Sequence, residues 1–467
     1  MGLDQETQPV PARSDAAGVV AGLREVFATG RTRPAAWRIA QLEGVIRLLD
    51  ERESDIAAAL ADDLGRTAFD SWLLDITAPR AEAAYARARV RWWMRRSLRP
   101  LSANMLPALG WVQYEPLGVV LIVGPWNAPV TLVLNPLVAA VAAGNCAVIK
   151  PSELTPATSR LLARLIPEYL DPEAVVVVEG DGAVTQDLLA QGVDHCFFTG
   201  GTEIGRKVMA AAAPHLTPVT LELGGKSPVI VAADADLDVT ARRVVWAKLL
   251  NSGQVCIAPD YLLVDRSVRD DLVARLVSTV EEFRAQAPER GLRVVDERHF
   301  DRLARCLAST RATVAVGGGT DRASLTVEPT VLVDPELDEP LMTEEIFGPI
   351  LPVLAVDSLD EAIAFVTARP KPLAAYLFSR SGDSRRRVLA GVSAGGIVVN
   401  HLIYHYTAPQ LPFGGVGPSG MGRYNGKWGF EALSHRKAVL VKPFKPDPRF
   451  AYPPYTDRAK AIMRRLF

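Results

Sequence analysis

The chain has 467 residues, of which 49% are hydrophobic and 22% are charged, a composition typical of globular proteins and unlike that of disordered ones. Its 52 Lys and Arg residues nearly balance 53 Asp and Glu residues, so the net charge of −1 gives no reason to expect nucleic acid or an anionic membrane as a partner. One hydrophobic core does not grow to this size, and two or three domains are therefore expected.

The composition also bounds the compartment. No basic segment followed by an apolar one opens the chain, so no secretory signal is predicted. The longest apolar run, residues 136–149, is shorter than the roughly 20 residues that a membrane span needs. The cysteines form no CxxC pair and the histidines are scattered, which argues against a disulfide framework or a metal site. We expect a cytoplasmic, reduced protein without a membrane span.

The predicted elements begin with helices. The first 90 residues predict one helix capped by Asp15 and a longer one after Pro34. Residues 95–117 predict an extended excursion or hairpin. From residue 118, short β-branched or aromatic runs alternate with helix-length segments, which predicts βαβ units in a parallel sheet. The predicted strands of this block are 118–124, 146–150, 174–180 and 195–200, with further strands inside 217–231.

A second α/β block follows from about residue 225. Its predicted helices lie around 244–250, at 266–285 and at 360–368, and its predicted strands are 351–356, 373–378 and 395–400. This order predicts an α/β protein with two doubly wound domains that meet at a cleft, and residues 95–112 and the C-terminal tail remain as candidate oligomerisation arms.

One of the four cysteines differs from the others. Cys146 and Cys196 lie in apolar strand runs and Cys306 lies in a helical stretch, so these three are predicted to be buried packing residues. Cys256 lies in the loop NSGQVCIAPDY (251–261), where glycine and proline can present a reactive group at a cleft. On this pattern alone, both an inert loop cysteine and a nucleophile remain open.

Two polar side chains come at predicted strand ends. Glu222 lies between leucines in TLELGGKSP (220–228), and burial there would raise its pKa toward neutrality, as a general base requires. The alternative is a structural ion pair with a cation such as Lys226. Asn127 lies in VGPWNAP (123–129), at the end of the first strand of the sheet, where its amide can donate to an oxyanion or simply cap the next helix.

A nucleotide site is indicated by FFTGGTEIGRKV (197–208), in which a glycine turn leads from a strand into the N terminus of a helix. Free backbone amides and the helix dipole favour phosphate at such a position. Lys150 and Glu153 follow the adjacent strand, where ribose hydroxyls are expected, although a surface lysine and helix-capping residues fit equally well. The loop TEEIFGP (343–349) has the same ambiguity.

Taken together, these motifs resemble the aldehyde dehydrogenase superfamily over essentially the whole chain. The shared motifs are PWN at 125–127, KPSE at 150–153, FTGGTEIG at 198–205, LELGGK at 221–226, GQVC at 253–256, EEIFGP at 344–349 and LPFGGVGPSGMGRYNGK at 411–427. The most similar branch is class 3, which includes coniferyl, fatty and aromatic aldehyde dehydrogenases. The resemblance implies a Rossmann-like NAD(P)-binding domain at 1–94 and 113–224, a catalytic domain at 225–410, and a small β oligomerisation arm with the C-terminal tail at 95–112 and 428–467, in a homodimer.

The resemblance also implies a reaction, the NAD(P)-dependent oxidation of an aldehyde to its acid. Cys256 would be the nucleophile, Asn127 would hold the oxyanion, and Glu222 would activate the water that hydrolyses the thioester. Glu153 can accept hydrogen bonds from the ribose 2′-hydroxyl, which favours NAD, and NADP stays open. The residues implied to bind the cofactor are Trp126, Lys150, Ser152, Glu153, Gly200, Gly201, Thr202, Gly205, Leu223, Glu345 and Phe347.

Two departures from the family pattern bear on the substrate and the cofactor. Ala128 stands where members usually carry an aromatic residue, which predicts a wider or differently shaped substrate tunnel, and Gly201 replaces a more frequent serine. Bulky aromatic aldehydes, such as coniferyl aldehyde, and medium-to-long aliphatic aldehydes fit the resemblance. The alternatives are a CoA-acylating dehydrogenase, against which the presence of Glu222 argues, and a non-enzymatic scaffold, against which all three catalytic residues argue.

Overall fold

The computed structural model describes residues 15–287 and 293–466. Helices cover the first 80 of these residues, as predicted, and the side chain of Asp15 accepts a hydrogen bond from the N–H of Gly18 at the start of the first helix. The α-helices are α1 Ala16–Ala28, α2 Ala35–Glu51, α3 Glu53–Leu64, α4 Ala68–Ser71, α5 Thr77–Trp93, α6 Thr131–Ala143, α7 Pro156–Tyr169, α8 Gly182–Leu189, α9 Thr202–Ala212, α10 Leu237–Leu249, α11 Arg269–Gln286, α12 Glu297–Ser309, α13 Pro340–Thr343, α14 Leu359–Thr367, α15 Gly382–Gly391, α16 Gly426–Ala432 and α17 Asp457–Leu466.

The strands form two large sheets and two small ones. They are β1 Ser97–Arg99, β2 Leu109–Pro116, β3 Val119–Val123, β4 Cys146–Lys150, β5 Val175–Val177, β6 His195–Thr199, β7 Val219–Glu222, β8 Pro228–Val231, β9 Tyr261–Asp265, β10 Thr313–Val316, β11 Thr320–Asp321, β12 Thr326–Val327, β13 Thr330–Val333, β14 Ile350–Val356, β15 Ala374–Phe378, β16 Gly396–Val399, β17 Gly420–Met421 and β18 Ser434–Val441.

The first large sheet has the order β17-β7-β6-β3-β4-β5 and is parallel except for β17. Helices cover both of its faces, so that β3 is buried along its whole length. Val120 and Ile122 point into the core that contains α6, whereas Val119 and Leu121 point into the core that contains α1 and α8. This alternation is what a doubly wound sheet requires.

The second large sheet has the order β10-β13-β14-β9-β8-β15-β16 and is parallel except for β10. It holds every strand that the sequence predicted after residue 225, so the predicted α/β class with two doubly wound sheets is confirmed. Strands β9 to β13 were not predicted. β10 to β13 are two to four residues long, whereas β9 is a five-residue strand that follows the Cys256 loop directly.

A separate three-stranded antiparallel sheet forms the arm. β1 and β2 make the hairpin that residues 95–117 predicted, and β18 pairs with β2 along its full length, from Ser434 opposite Pro116 to Val441 opposite Leu109. The tail also returns to the first large sheet, where β17 pairs with β7. The assignment of these segments to oligomerisation and the exact domain boundaries remain predictions.

Within the described ranges, no helix combines the length and the apolar character needed to cross a bilayer. In the same part of the chain, no group of three or more His, Cys, Asp and Glu side chains is arranged to hold a metal ion.

Candidate active site

The site lies where the strand order of the first sheet reverses. The chain runs from β3 outward to β4 and β5 and then places β6 on the other side of β3. In doubly wound sheets, ligands bind in the crevice at the carboxyl ends of the strands beside such a point. Asn127 follows β3 and Gly200 follows β6, while Glu222 ends β7 in register with Thr199 of β6. These residues therefore meet at one edge of the sheet.

Cys256 reaches this edge from the second domain. Between α10 and β9 the chain passes through three consecutive residues with positive φ, Asn251 (48°), Ser252 (55°) and Gly253 (73°). A Cβ at Gly253 would lie 2.2 Å from the carbonyl oxygen of Gly348, so only glycine fits there. This turn brings the sulfur of Cys256 into a cavity of about 230 Å³ that Asn127, Glu222, Leu223, Glu345 and Phe347 also line.

Asn127 is held through its side chain and its backbone by residues of both domains. Its side-chain Nδ2 donates to the carbonyl oxygen of Gln254 at 3.1 Å, and its backbone carbonyl oxygen accepts hydrogen bonds from Asn251 Nδ2 at 2.9 Å and from Arg66. An amide nitrogen carries two hydrogens, so one of them remains to donate to a group in the cavity. Asn127 is thus a rigid donor beside Cys256.

Arg66, which lies just after α3, fixes this arrangement. It forms a buried ion pair with Asp75, and its Nε donates to Asn251 Oδ1 at 2.9 Å. Asp75 in turn accepts the backbone N–H groups of Val130 and Thr131, both at 2.9 Å. The pair therefore ties the loop that carries Asn127 to the loop that carries Cys256.

Glu222 is buried, with only 3% of its surface exposed. Neither carboxylate oxygen has a hydrogen-bond partner among the described residues. Burial raises the pKa of Glu222 well above its ordinary value, and the charge of Arg423 acts in the opposite direction. The alternative partner, Lys226, lies elsewhere: its Nζ forms an ion pair with Asp260 and donates to backbone carbonyl oxygens. The structural ion pair with Lys226 is therefore wrong.

The Cys256 thiol has a raised pKa. Burial is the main cause, and the neighbouring carboxyl groups of Glu345 and Glu222 add to it, whereas the backbone N–H groups of Cys256 and Ile257 lower it. The other three cysteines are buried, with Cys146 in β4, Cys196 in β6 and Cys306 in α12, as the packing interpretation predicted. Cys256 is the partly exposed one, and it faces the cavity.

A second cavity, of about 600 Å³, runs along the carboxyl ends of β3, β4 and β6. Lys150 and Glu153 line it and form an ion pair of 2.7 Å, and Trp126 and Ser152 lie on the same wall. Helix α9 begins beside it after Gly201, where no side chain caps the first amides and a Cβ would meet only open space. Uncapped amides at an open helix N terminus fit a pyrophosphate.

Not every predicted cofactor residue lies on a cavity wall. Gly200, Gly201 and Leu223 do. Thr202 and Gly205 lie in the first turn of α9, where the Thr202 hydroxyl donates to Pro418 and a Cβ at Gly205 would lie 2.6 Å from the Leu223 side chain. Neither residue lines the two cavities, so a part for their side chains in cofactor binding stays a prediction.

Glu345 and Phe347 line the 230 Å³ cavity that also contains Cys256. A Cβ at Gly224 would lie 2.1 Å from a carboxylate oxygen of Glu345, so the glycine allows the carboxyl group to rest on the backbone. Burial raises the pKa of Glu345 to about 8, with an opposing hydrogen bond from the N–H of Gly225. The ring of Phe347 packs edge-on against Trp126 with centroids 5.4 Å apart.

Sequence reasoning missed several residues of the site. His299 and Arg302 of α12 line the smaller cavity: the His299 ring packs on Trp126 at 5.3 Å, and Arg302 donates to the carbonyl oxygen of Ile346 at 2.6 Å. Helix α12 showed only an amphipathic pattern in the sequence, and no motif marked these two side chains. Arg66 was missed for the same reason.

A doubly wound sheet with an open helix N terminus, next to a cysteine and a buried carboxyl group, is typical of nucleotide-dependent α/β dehydrogenases. The profile of the aldehyde dehydrogenase family matches residues 7–439 of the chain. The chain belongs to the aldehyde dehydrogenase family and is an enzyme that oxidises aldehydes with NAD(P).

The relatives place it near family 3, as the class 3 resemblance predicted. It is 44% identical to aldehyde dehydrogenase family 3 member H1 of Arabidopsis thaliana over 459 residues, which cover 97% of this chain and 95% of that protein. It is 41% identical to the mouse "Aldehyde dehydrogenase, dimeric NADP-preferring" over 446 residues, 94% of this chain and 98% of that protein. The substrate-bound structure of Staphylococcus aureus AldH superposes with a TM-score of 0.92 at 40% identity, covering 97% of this chain and 99% of that one.

Proposed function

We propose that this enzyme oxidises bulky aromatic or medium-to-long aliphatic aldehydes to carboxylic acids through a thioester on Cys256, which a water activated by Glu222 hydrolyses. One observation carries the proposal: Cys256 lines two cavities that differ in polarity. One is the cavity that holds Asn127, Glu222 and Glu345, and the other, of about 60 Å³, is almost entirely apolar.

The first step is nucleophilic attack. The Cys256 sulfur, as a thiolate, adds to the carbonyl carbon of the aldehyde, and the carbonyl oxygen takes the negative charge. The free amide hydrogen of Asn127 and the backbone N–H of Cys256 would donate to that oxygen. The contacts from Gln254, Asn251 and Arg66 to Asn127 support this role, because a donor that is already fixed needs no reorganisation during the reaction.

The cofactor cavity has residues that fit NAD(P). When bound, NAD(P) would supply the acceptor for the hydride that leaves the carbon attached to Cys256. Lys150 and Glu153 would hold the adenosine ribose, the first amides of α9 would hold the pyrophosphate, and Glu345 would hold the nicotinamide ribose. The pairing of Glu153 with Lys150 at 2.7 Å leaves the carboxylate a hydrogen-bond acceptor for ribose hydroxyls, which favours NAD.

Hydrolysis completes the cycle. Loss of the hydride leaves an acyl group on the sulfur as a thioester, and Glu222 would take a proton from the water that attacks it. The sulfur then leaves as a thiolate, and the product is the carboxylic acid. A carboxyl group whose pKa is raised by burial suits this step, because its conjugate base is strong enough to deprotonate water in the transition state.

The apolar cavity supports the substrate class. Its walls include Leu74, Leu132 and Ile403, with Ala128 facing the same space. Apolar walls favour a hydrocarbon or aromatic substituent on the aldehyde, and the short side chain of Ala128 leaves room that an aromatic residue would fill.

The deciding experiment combines one variant with a substrate panel. Cys256→Ser should abolish NAD-linked aldehyde oxidation while the circular dichroism spectrum stays unchanged; retained turnover would end the nucleophile assignment. Wild-type enzyme should show the highest kcat/KM with bulky apolar aldehydes and with NAD rather than NADP. Addition of CoA should leave the rate unchanged, whereas production of an acyl-CoA would replace hydrolysis with the acylating reaction.

We further propose that the protein is a cytoplasmic homodimer with its arm sheet at the interface. The arm exposes large apolar side chains, Leu98, Leu109 and Leu440, that association would cover. The mouse relative is named as a dimeric enzyme. All four cysteines are free, which fits a reducing compartment. Size-exclusion chromatography with light scattering should give twice the mass of one chain, and Leu98→Asp should shift it to one.

A further inference from the structure

The turn that follows β17 places a guanidinium group beside the buried base. Nη1 of Arg423 donates to the carbonyl oxygens of Gly415 and Gly422, the latter at 2.7 Å. The same atom lies 3.0 Å from the point where a Cβ on Gly414 would stand, and Glu222 Oε1 also lies 3.0 Å from that point. The guanidinium and the carboxylate are therefore separated by at most twice this distance.

Glycine at position 414 is what permits this approach. Its φ of +155° lies in the region that favours glycine, and the space that a side chain would take is shared by the guanidinium and the carboxylate. The two groups therefore face each other across a bare backbone turn. Arg423 reaches this point from the loop after β17, the strand that pairs with the strand of Glu222 itself, with Gly420 opposite Glu222.

Two other basic side chains, His299 and Arg302 of α12, line the same cavity as Glu222, but neither is among the charges that act on its carboxyl group. Cys256 faces it across the cavity, Tyr424 is buried beside it, and Glu345 lies on the far wall. Thr199, its neighbour on β6, is neutral. Among the described residues, Arg423 is the cation whose charge acts on Glu222.

We propose that Arg423 is a positioning residue for thioester hydrolysis: held by two glycine carbonyl groups, its guanidinium supplies the counter-charge that keeps the buried Glu222 side chain available as a carboxylate. This inference rests on the proposed role of Glu222 as the base. It concerns a residue that contacts neither the aldehyde nor the sulfur.

The physical reason is the balance between burial and charge. Burial favours the neutral carboxylic acid, which cannot accept a proton from water. An opposite charge within about 4–6 Å lowers the pKa of a carboxyl group by roughly 1–3 units and so returns part of the population to the carboxylate. Loss of the guanidinium should therefore raise the pKa of Glu222 and reduce the active fraction at neutral pH.

The test compares Arg423→Met, Arg423→Gln and Arg423→Lys in the full-length enzyme with NAD and one aldehyde. Steady-state kcat is measured against pH, and acid-quenched samples are weighed by intact-protein mass spectrometry to give the fraction of acyl-enzyme. Arg423→Met should shift the acidic limb of the kcat–pH profile to higher pH by about one pH unit, which lowers kcat about tenfold on that limb. Acyl-enzyme should accumulate, because hydrolysis becomes the slow step.

The companion variants separate charge from packing. Arg423→Gln keeps a donor for the glycine carbonyl groups without the charge and should behave like Arg423→Met, which covers the case in which methionine disturbs folding. Arg423→Lys keeps the charge and should restore most of the wild-type profile. Arg386→Met, at an exposed arginine of α15, is the control and should match wild type.

Two results would overturn the proposal. One is a wild-type pH profile and a wild-type acyl-enzyme fraction in both uncharged variants, and the other is an Arg423→Lys enzyme as impaired as Arg423→Gln. Glu222→Gln is measured in parallel. If Glu222→Gln retains full turnover, the proposed base is wrong; if it is impaired while the uncharged Arg423 variants are normal, only the role of Arg423 is wrong.

Discussion

Replacement of Arg66 by methionine would test how the two loops of the site are held together. Arg66 and Asp75 form an ion pair with side-chain exposures of 3% and 0%. The same guanidinium donates to the carbonyl oxygen of Asn127 and to Asn251 Oδ1. Arg66→Met keeps most of the side-chain volume but removes every one of these hydrogen bonds and leaves the charge of Asp75 without its partner.

The expected loss of stability follows from that isolated charge. Removal of one member of a buried ion pair costs about 3–5 kcal/mol. Asp75 keeps the N–H groups of Val130 and Thr131, which offset part of this cost, so we expect a loss near the lower end, about 3 kcal/mol. The double variant Arg66→Met/Asp75→Asn should recover most of it, because the asparagine oxygen accepts from the same two N–H groups without a charge.

Activity should fall as well, because the Asn127 amide is displaced when Arg66 no longer holds its backbone. A misplacement of about 1 Å in a catalytic group can cost about 100-fold in rate, so kcat/KM for aldehyde oxidation should fall between about 10- and 100-fold. The double variant should remain impaired, because Asn127 still lacks the hydrogen bond from Arg66. Stability and activity therefore separate between the single and the double variant.

The assays are urea unfolding for stability and NADH absorbance for kcat/KM. Arg80→Met is the control, since Arg80 pairs with Asp50 on the surface with side-chain exposures of 48% and 43%, and it should change the free energy of unfolding by no more than about 1 kcal/mol. The reasoning is refuted if Arg66→Met is as stable as the control. It is equally refuted if Arg66→Met loses stability but keeps the wild-type kcat/KM.

Three further predictions concern the base, a buried carboxyl group and the apolar cavity. Glu222→Gln should keep the initial burst of NADH while steady turnover falls about 10²–10⁴-fold, and loss of the burst would contradict a role confined to hydrolysis. Burial raises the pKa of Glu82 to about 7, so its contribution to the free energy of unfolding is full below about pH 4.5 and is lost as pH rises through 7, by about 3 kcal/mol. In urea unfolding, Glu82→Gln should flatten this dependence on pH, whereas the exposed control Glu25→Gln should keep it. A dependence that Glu82→Gln retains and Glu25→Gln loses would contradict the prediction. Ala128→Phe should lower kcat/KM at least about tenfold for bulky aromatic aldehydes relative to acetaldehyde, and an unchanged ratio would show that Ala128 does not bound the substrate.

Much of the cofactor half of the site could be predicted because it depends on strand order alone. Asn127 and Gly200 follow buried strands and Lys150 ends one, and the carboxyl ends of neighbouring parallel strands meet at one edge. Glu222, at the carboxyl end of β7, lies in register with Thr199 at the same edge for the same reason. Local sequence therefore carried enough information to place these residues together.

The catalytic half depends on contacts that no local pattern encodes. Cys256 reaches the first domain only because of three residues with positive φ and because Gly253 packs against the backbone of Gly348. Arg66 and Asp75 come from a helical region whose sequence pattern shows an amphipathic face but not which polar residues turn inward. Such residues acquire their role from the docking of the two domains. For Cys256 the loop pattern left both an inert cysteine and a nucleophile open, and only the family motifs favoured the nucleophile.

The acidic groups of the cavity also set an order for the proposed reaction. Cys256, Glu222 and Glu345 all have raised pKa values, and burial is the first cause for each. The charge of Glu222 disfavours the Cys256 thiolate, and electrostatic repulsion is reciprocal, so a thiolate at Cys256 disfavours the carboxylate of Glu222. Acylation of the sulfur removes the thiolate charge. The carboxylate of Glu222 therefore becomes easiest to form once the thioester exists, which is the step at which hydrolysis requires a base.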